Sequence, residues 1–285
     1  FYNKSSKLTS VDDNTTLGEY LKKEKLSNYF KDYHIIPMVA AIWSMPPYEA
    51  EQMPLKFFIK FFQNHGLFRI RNRPQWYTVA NRSKSYVDKI LGKISGEYYK
   101  NYIIKKLIRH SNGVQVYYGD ETEFFVYDKV ILATHADEAI ELIQDPLSEE
   151  KDVLSNFKYK KNLAYLHFDE SVMPTNKKAW CSWNSTIDKI NNKNSVTYWL
   201  NLLQNLKIKK NIFLTLNPFF KIDETKIYKI IEFEHPYYDQ DALNNQHKLK
   251  KIQNQKNILF SGSYFGYGFH EDGIKSSLEM IKYLK

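Results

Sequence analysis

The chain has 285 residues, with 41 Lys plus Arg against 32 Asp plus Glu and a net charge of +9. Hydrophobic residues at 43% and aromatics at 16% exclude a disordered chain. A single cysteine excludes a disulfide framework and a Cys-rich metal scaffold, while the length allows one large domain or two with ample core.

Only five of the basic residues are arginines: Arg69, Arg71, Arg73, Arg82 and Arg109. The excess is lysine, scattered as Lys22-Lys23, Lys105-Lys106, Lys160-Lys161 and Lys248 to Lys251. Abundant Asn, Ile and Tyr accompany it, the usage that an AT-rich genome favours. The charge therefore reads as compositional drift, and no nucleic-acid partner is expected. No run approaches the ~18 apolar residues of a membrane span. No signal peptide is visible, so a cytoplasmic chain is expected. The first residue is Phe1, not Met, which points to a fragment or a processed form.

In chain order, residues 1–14 are polar and expected to fray. Thr16 and Glu19 form a T-x-x-E capping box, opening a helix through about residue 31. A second helix covers Met38 to Trp43. A third starts at Pro54 and stops near Gly66. Its Phe57, Phe58, Phe61 and Phe62 make a wide apolar stripe, read as core, with a ligand-cavity wall as the alternative. Trp76 to Val79 reads as a strand and Ser85 to Leu91 as a helix. Tyr102 to Arg109 and Val114 to Tyr118 read as strands joined by an Asn112-Gly113 turn. Phe124 to Tyr127 is another strand. Val130 to Ala133 is a continuous apolar run, expected to be buried on both faces. A helix over Glu138 to Ile143 follows. Further strands are Leu163–Phe168, Ala179–Trp183, Val196–Leu200, Ile212–Leu216 and Tyr228–Phe233. A helix over Ala242 to Lys251, a short strand Ile258–Phe260 and a helix from about Gly273 to Leu284 complete an α/β (mixed α+β) chain.

Scarce residues carry the chemical signal. Four of the five arginines fall in 69–82, where a planar fork for carboxylate or phosphate is expected. Four glycines, Gly262, Gly266, Gly268 and Gly273, follow the strand Ile258–Phe260 and precede the last helix. A strand, a glycine-rich loop and a helix N-terminus offer unpaired N–H groups to an anion or an electron-poor ring. No G-x-G-x-x-G fingerprint occurs, and Ser263 lacks the flanking glycine of a nucleophile elbow. Adjacent His270, Glu271 and Asp272 do not make a metal set, so no metal is expected. Cys181, between Trp180 and Trp183, reads as a buried packing residue.

On these residues the chain resembles the FAD-dependent amine oxidase superfamily, and within it a bacterial branch of NAD/FAD-binding oxidoreductases. The matching segments are Pro37-Met38 to Ser44, Asn64-His65-Gly66-Leu67, Arg73-Pro74-Gln75-Trp76 and Val130 to Asp137. They continue through Val196 to Asn201, Thr215 to Pro218 and the signature from Gly262 to Ser277 that includes Tyr267 to Gly273. The resemblance implies a partial Rossmann-like FAD domain interleaved with a substrate domain of helices and a β-sheet. Residues 1–16 would be the frayed N-terminus. Residues 17–75 and 146–235 would form the substrate domain, and 76–145 and 236–285 the FAD domain. It further implies that Ile104 meets the adenine, that Ala133, Thr134, Gly262 and Ser263 lie at the ribose and pyrophosphate, and that Gly268, Phe269, His270 and Asp272 lie beside the flavin pyrimidine. Hydride transfer from an apolar or amine-type small molecule to flavin is the implied reaction. The aromatic stock (Phe57, Phe61, Trp76, Trp180, Trp183, Trp199) points to an apolar substrate cavity. No catalytic base is named by the sequence; His135, Tyr264, Tyr267 and His270 are the candidates. The family's Gly-Gly stands here as Asn81-Arg82, and the first βαβ unit with its G-x-G-x-x-G is absent, so this chain alone is expected to bind FAD weakly or not at all. Two other readings stay open: a Lys-rich non-enzymatic binding protein for nucleic acid or an anionic surface, and an inactive remnant.

Overall fold

The computed structural model of the chain describes residues 1–9, 12 and 14–284. It divides into two compact units, one from Phe1–Ile94 and Lys160–His235, the other from Ser95–Tyr159 and Pro236–Lys285. Ten strands run in chain order among the described residues: β1 (Ile104–His110), β2 (Gly113–Tyr118), β3 (Glu123–Tyr127), β4 (Val130–Leu132) and β5 (Lys158–His167), then β6 (Trp183–Asp188), β7 (Lys193–Trp199), β8 (Phe213–Leu216), β9 (Ile227–Tyr237) and β10 (Ile258–Phe260). No helix among them is long and apolar enough to cross a membrane.

The first unit opens with helices. Thr16 caps the helix Leu17–Lys23 as expected: Glu19 N–H donates to Thr16 Oγ1 at 3.2 Å and Thr16 N–H donates to Glu19 Oε2 at 2.9 Å. The helix does not continue to residue 31. Lys25 turns left-handed (φ 50°), and Ser27 caps a new start by accepting from Phe30 N–H. The N-terminus is not frayed at its tip. Tyr2–Ser5 is helical, Phe1 packs edge-on against Phe30 and Phe68, and Ser5 Oγ meets Tyr20 OH at 3.0 Å; residues 10, 11 and 13 of the expected frayed stretch lie outside the described residues. The helix Leu55–Asn64 buries Phe57, Phe58, Phe61 and Phe62, with Phe58 against Phe62 at 4.1 Å and Phe61 against Trp43 at 4.6 Å. Each ring removed from water contributes about 2–3 kcal/mol. They are core and no cavity wall.

Trp76 to Val79 is not a strand. It follows Pro74, pairs with no ladder, and lies exposed, with Trp76 65% accessible. A strand needs a neighbour, and the local pattern does not supply one. Ala179–Trp183 is likewise not a strand: a 3₁₀ turn occupies Lys177–Ala179 and the strand begins at Trp183. Cys181 is exposed there, not buried. Trp183 is also exposed, while Trp180 packs against Trp199 and Phe213. The expected aromatic wall therefore does not assemble as one surface.

Strands β6-β7-β8-β5-β9 form one sheet, with antiparallel β6/β7, β7/β8 and β5/β8 ladders. Its interior holds a polar chain. His167 Nδ1 accepts from Asp169 N–H at 3.1 Å, so Nε2 carries the proton and donates to Thr215 Oγ1 at 2.7 Å; Thr215 meets Thr197 at 2.9 Å. Burial holds the His167 imidazole down to about 4, although Asp169 pulls the other way. Burial alone would raise the Asp169 carboxyl, but bonds from Asp223 N–H, from Ser171 and from Lys226 outweigh it and hold it down at about 2.

In the second unit β1-β2-β3 form an antiparallel sheet, and β10 and β4 a parallel pair. The expected hairpin joins β1 to β2, but its two-residue turn is Ser111-Asn112 and not Asn112-Gly113; Gly113 pairs with His110 as the first residue of β2, at φ 133°, where a Cβ would collide with Tyr127 O. The buried Arg fork is not in the 69–82 cluster. Arg109 reaches Glu150 Oε1 at 2.5 Å, both side chains buried, whereas Arg73 and Arg82 use Nε for exposed contacts. Strand β4 is only partly buried: Leu132 is core but Ile131 is 43% exposed.

Burial of neutral His167 fixes one pH response. An unfolded imidazole takes its proton near pH 6.5, the folded one only near 4. Between those values the unfolded state binds more protons, so stability is complete above pH 6.5 and falls by about 3 kcal/mol as pH drops to 4. Asp169 acts in a lower window, losing its contribution between about pH 4 and 2. His167→Gln should flatten the pH 6.5–4.5 slope of denaturant-unfolding stability and leave the slope below pH 4 intact.

Candidate functional site

Parallel register places two loops at one edge. Ile258 pairs Val130 and Phe260 pairs Leu132, and Ser261 N–H extends the ladder to Leu132 O at 2.9 Å. Ala133-Thr134 and Gly262-Ser263 therefore leave the C-terminal ends of adjacent strands, the edge at which open α/β sheets place ligands. Ala133 is exposed, and Thr134, Gly262 and Ser263 are half-buried. Ile104 lies elsewhere, opposite Tyr118 beside a bulge in the antiparallel sheet.

The glycine loop folds upon itself. Gly262 N–H donates to Ser276 Oγ at 2.9 Å, and the N–H groups of Gly266 and Gly268 both donate to Ser263 O. Gln246 Nε2 donates to Tyr264 O and Gly266 O. A Cβ on Gly266 would collide with the Asp272 carboxylate, and one on Gly262 with the Tyr264 ring. Gly268 sits at φ 93° with its Cβ position 2.9 Å from Tyr238 OH. These glycines are small because the protein's own side chains approach them.

The expected row of unpaired N–H groups is therefore largely used. Phe269 N–H donates to Asp272 Oδ2 at 3.0 Å, so the helix His270–Met280 is capped by its own acid, with Glu271 beside it. Such an end resists a free anion and suits a neutral, electron-poor partner. Gly273 differs from the other three: the nearest atom to its Cβ position is Ser263 N, 4.0 Å away. That space, with Ala133, Thr134, Gly262 and Ser263 around the strand ends, leaves room beside the backbone for a flat group.

Three phenols that sequence reading did not assemble stand behind this edge. His135 stacks on Tyr159 at 4.0 Å, and Ala136 N–H donates to the Tyr159 hydroxyl at 3.1 Å. Tyr238 OH donates to Ser263 O. Burial pushes Tyr159, Tyr238 and Tyr264 well above the ordinary phenol value. Tyr264 is wholly buried among Leu249, Ile258 and Phe260, so it is core and not a base at an open site. Of the other candidates, Tyr267 and His135 are half-buried and His270 is exposed at the helix start. Among the described residues no group of three His, Cys, Asp or Glu gathers to hold a metal.

The first unit has its own concavity, ≈ 580 Å³, lined by Ala40, Met45, Leu163, Val196, Leu216 and Phe219, with Tyr48, Asn192 and Lys193. Asn217 in its wall is pinned: its Oδ1 accepts from Leu163 N–H and its Nδ2 donates to Asn162 Oδ1. In the same unit Asn81 (φ 60°) and Arg82 (φ 67°) stand consecutively in the left-handed region, and Arg82 Nε donates to Gln204 Oε1 at 2.7 Å.

No protein-family model matches the sequence, and no curated protein sequence matches it. Solved structures do. A putrescine oxidase bound to putrescine aligns with a TM-score of 0.64 and 8% identity, over 95% of this chain and 68% of that one. Cyclohexylamine oxidase from Brevibacterium oxydans gives 0.59 and 12%, over 95% and 68%. A CLA-producing fatty acid isomerase from P. acnes gives 0.58 and 12%, over 94% and 72%. The chain has the mixed α/β fold of the FAD-dependent amine oxidases.

Two substitutions test the local geometry by denaturant unfolding. Gly266→Ala should lower stability by about 2 kcal/mol through overpacking against Asp272. Arg82→Gly should raise it by about 1 kcal/mol, since a left-handed side chain is relieved and only an exposed bond is lost.

Proposed function

We propose that the chain belongs to an FAD-dependent oxidoreductase of amine-oxidase type that works in the cytoplasm on a small, largely apolar substrate. The observation that carries this reading is the fold match over 94–95% of the chain, with small residues gathered at the ends of the parallel strands. The unit with the parallel pair is the flavin side, and the unit with the five-stranded sheet is the substrate side.

FAD, when bound, supplies a ring that accepts a hydride. Ala133, Thr134, Gly262 and Ser263 would hold its ribose and pyrophosphate, and Ile104 its adenine. Gly268, Phe269, His270 and Asp272 would lie at the pyrimidine of the ring, beside the N-terminus of the helix His270–Met280. Asp272 keeps that helix end pinned through Phe269 N–H. His135, with its ring fixed on Tyr159, together with Tyr267 and His270, are the residues proposed to move a proton. The apolar concavity beneath Leu163 and Phe219 supports an apolar substrate. Two of the fold neighbours are named for amines and one for a fatty acid.

The cradle here lacks a G-x-G-x-x-G turn, so binding by these 285 residues is weak. Titration of the purified chain with FAD should show saturable quenching of flavin fluorescence. Ala133→Trp, at an exposed strand end, should weaken it at least about tenfold, some 1.4 kcal/mol. Equal quenching by both chains would sink the assignment, and protein purified yellow with stoichiometric flavin would overturn the weak binding.

A further inference from the structure

The concavity of the first unit is apolar below and polar at its mouth. Ala40, Met45, Val196 and Leu216 make a buried floor with no hydrogen-bonding side chain. Such a floor gains by exchanging water for a hydrocarbon chain. Asn217 in the wall has both ends of its amide bonded within the protein. The mouth is formed by the turn from β6 to β7 and the residues just after it: Asn191, Asn192, Lys193 and Asn194. Asp188 holds that turn in shape. Its Oδ1 accepts from Ile190 N–H at 3.0 Å and Asn191 N–H at 3.1 Å, and its Oδ2 accepts from Asn191 Nδ2 at 2.7 Å.

Charge in the lining has one sign. It contains no Asp or Glu and a single cation, Lys193. The acids close by are all engaged. Buried Glu49 accepts from the Tyr48 hydroxyl at 2.7 Å and pairs with Lys160. Asp32 and Glu51 line a smaller hollow of ≈ 200 Å³ that shares Asn192 and Asn194 with the first. There Lys31 reaches Glu51 at 3.1 Å, and Lys189 reaches Asp32 at 3.3 Å. Bonds from Asn191 and Ile190 hold the Asp188 carboxyl below its usual range, and the Lys193 charge adds to this from outside ion-pair distance. Of these four lysines, Lys193 alone has no carboxylate in ion-pair reach among the described residues. Asn194 supplies a donor beside it: its Oδ1 accepts from Ser185 Oγ at 2.6 Å, which leaves Nδ2 unused. An ammonium would meet only neutral oxygens here, such as Asn191 Oδ1, and shedding its water needs a countercharge. A carboxylate meets a cation and an N–H donor.

We propose that this concavity binds an amphiphile with an anionic head, of the monocarboxylate class, in preference to an amine. The hydrocarbon chain lies on Ala40, Met45, Val196 and Leu216, and the carboxylate sits at Lys193 Nζ and Asn194 Nδ2. The mouth sorts ligands by the sign of the head, and the floor by the apolar length behind it. This names the substrate class of the proposed enzyme and rests on the reading that the concavity receives the substrate; the binding preference itself does not.

Calorimetric titration of the chain without FAD, near neutral pH and below micelle formation, compares decanoate, decan-1-ol and decylamine. Decanoate should bind at least about fivefold more tightly than decan-1-ol, and decylamine more weakly than either. Lys193→Gln should remove the advantage of decanoate, and Lys193→Glu should put decylamine ahead of it. Decan-1-ol carries no charge, so its affinity should stay within about twofold in both variants, which shows that the floor is intact. The proposal is overturned by equal binding of the three, by tighter binding of decylamine to the unsubstituted chain, or by a decanoate preference that survives Lys193→Glu. Absence of saturable binding by any of them overturns it as well. Flavin takes no part in the measurement, so its failure leaves the fluorescence titration standing, and the reverse holds too.

Discussion

The pairing of β4 with β10 is the constraint on which the candidate site depends. Three residues on each strand set a register that brings Ala133-Thr134 beside Gly262-Ser263. Everything beyond the strand ends then follows from close approach. Gly262 yields to Tyr264, Gly266 to Asp272 and Gly268 to Tyr238, and the helix His270–Met280 starts where Asp272 can hold it. A one-residue slip would turn every side chain of the pair to the other face and pull these approaches apart.

Much of the local architecture was legible in the sequence because its causes are local. Thr16 and Glu19 satisfy each other's backbone within one turn, and the hairpin of β1 and β2 closes within two residues of the expected turn. The four phenylalanines of Leu55–Asn64 declare a buried face by spacing alone. What failed needs partners distant in the chain. Trp76–Val79 has strand composition but no neighbour, and Ile131 sits in an apolar run yet at an open edge. The glycine cluster was legible as a special loop. Its reason was legible only in part, since Tyr264 and Asp272 lie inside the motif but Tyr238 and Gln246, which it also meets, lie outside it.

Charge tells a similar story at the level of residue choice. The arginines that look clustered at 69–82 remain in solvent, while the isolated Arg109 is buried against Glu150. A buried fork is recognised by what faces it, and Glu150 lies forty-one residues further on. The five-stranded sheet shows the same principle with neutral groups. His167, Thr215 and Thr197 come from three strands, and each satisfies the next. That chain of bonds specifies strand order, because a different neighbour would leave a buried imidazole without its acceptor.

The distance in sequence between β4 and β10 has a consequence for biogenesis. The two strands lie about 130 residues apart, with the whole of β5 to β9 between them. At about 5–20 residues per second, synthesis leaves β4 waiting on the order of ten seconds for its partner. The five-stranded sheet can close during that interval because all five of its strands have emerged first. The unit built on Ser95–Tyr159 and Pro236–Lys285 thus gains its parallel pair late, and the short apolar strand β4 stays without that partner until then.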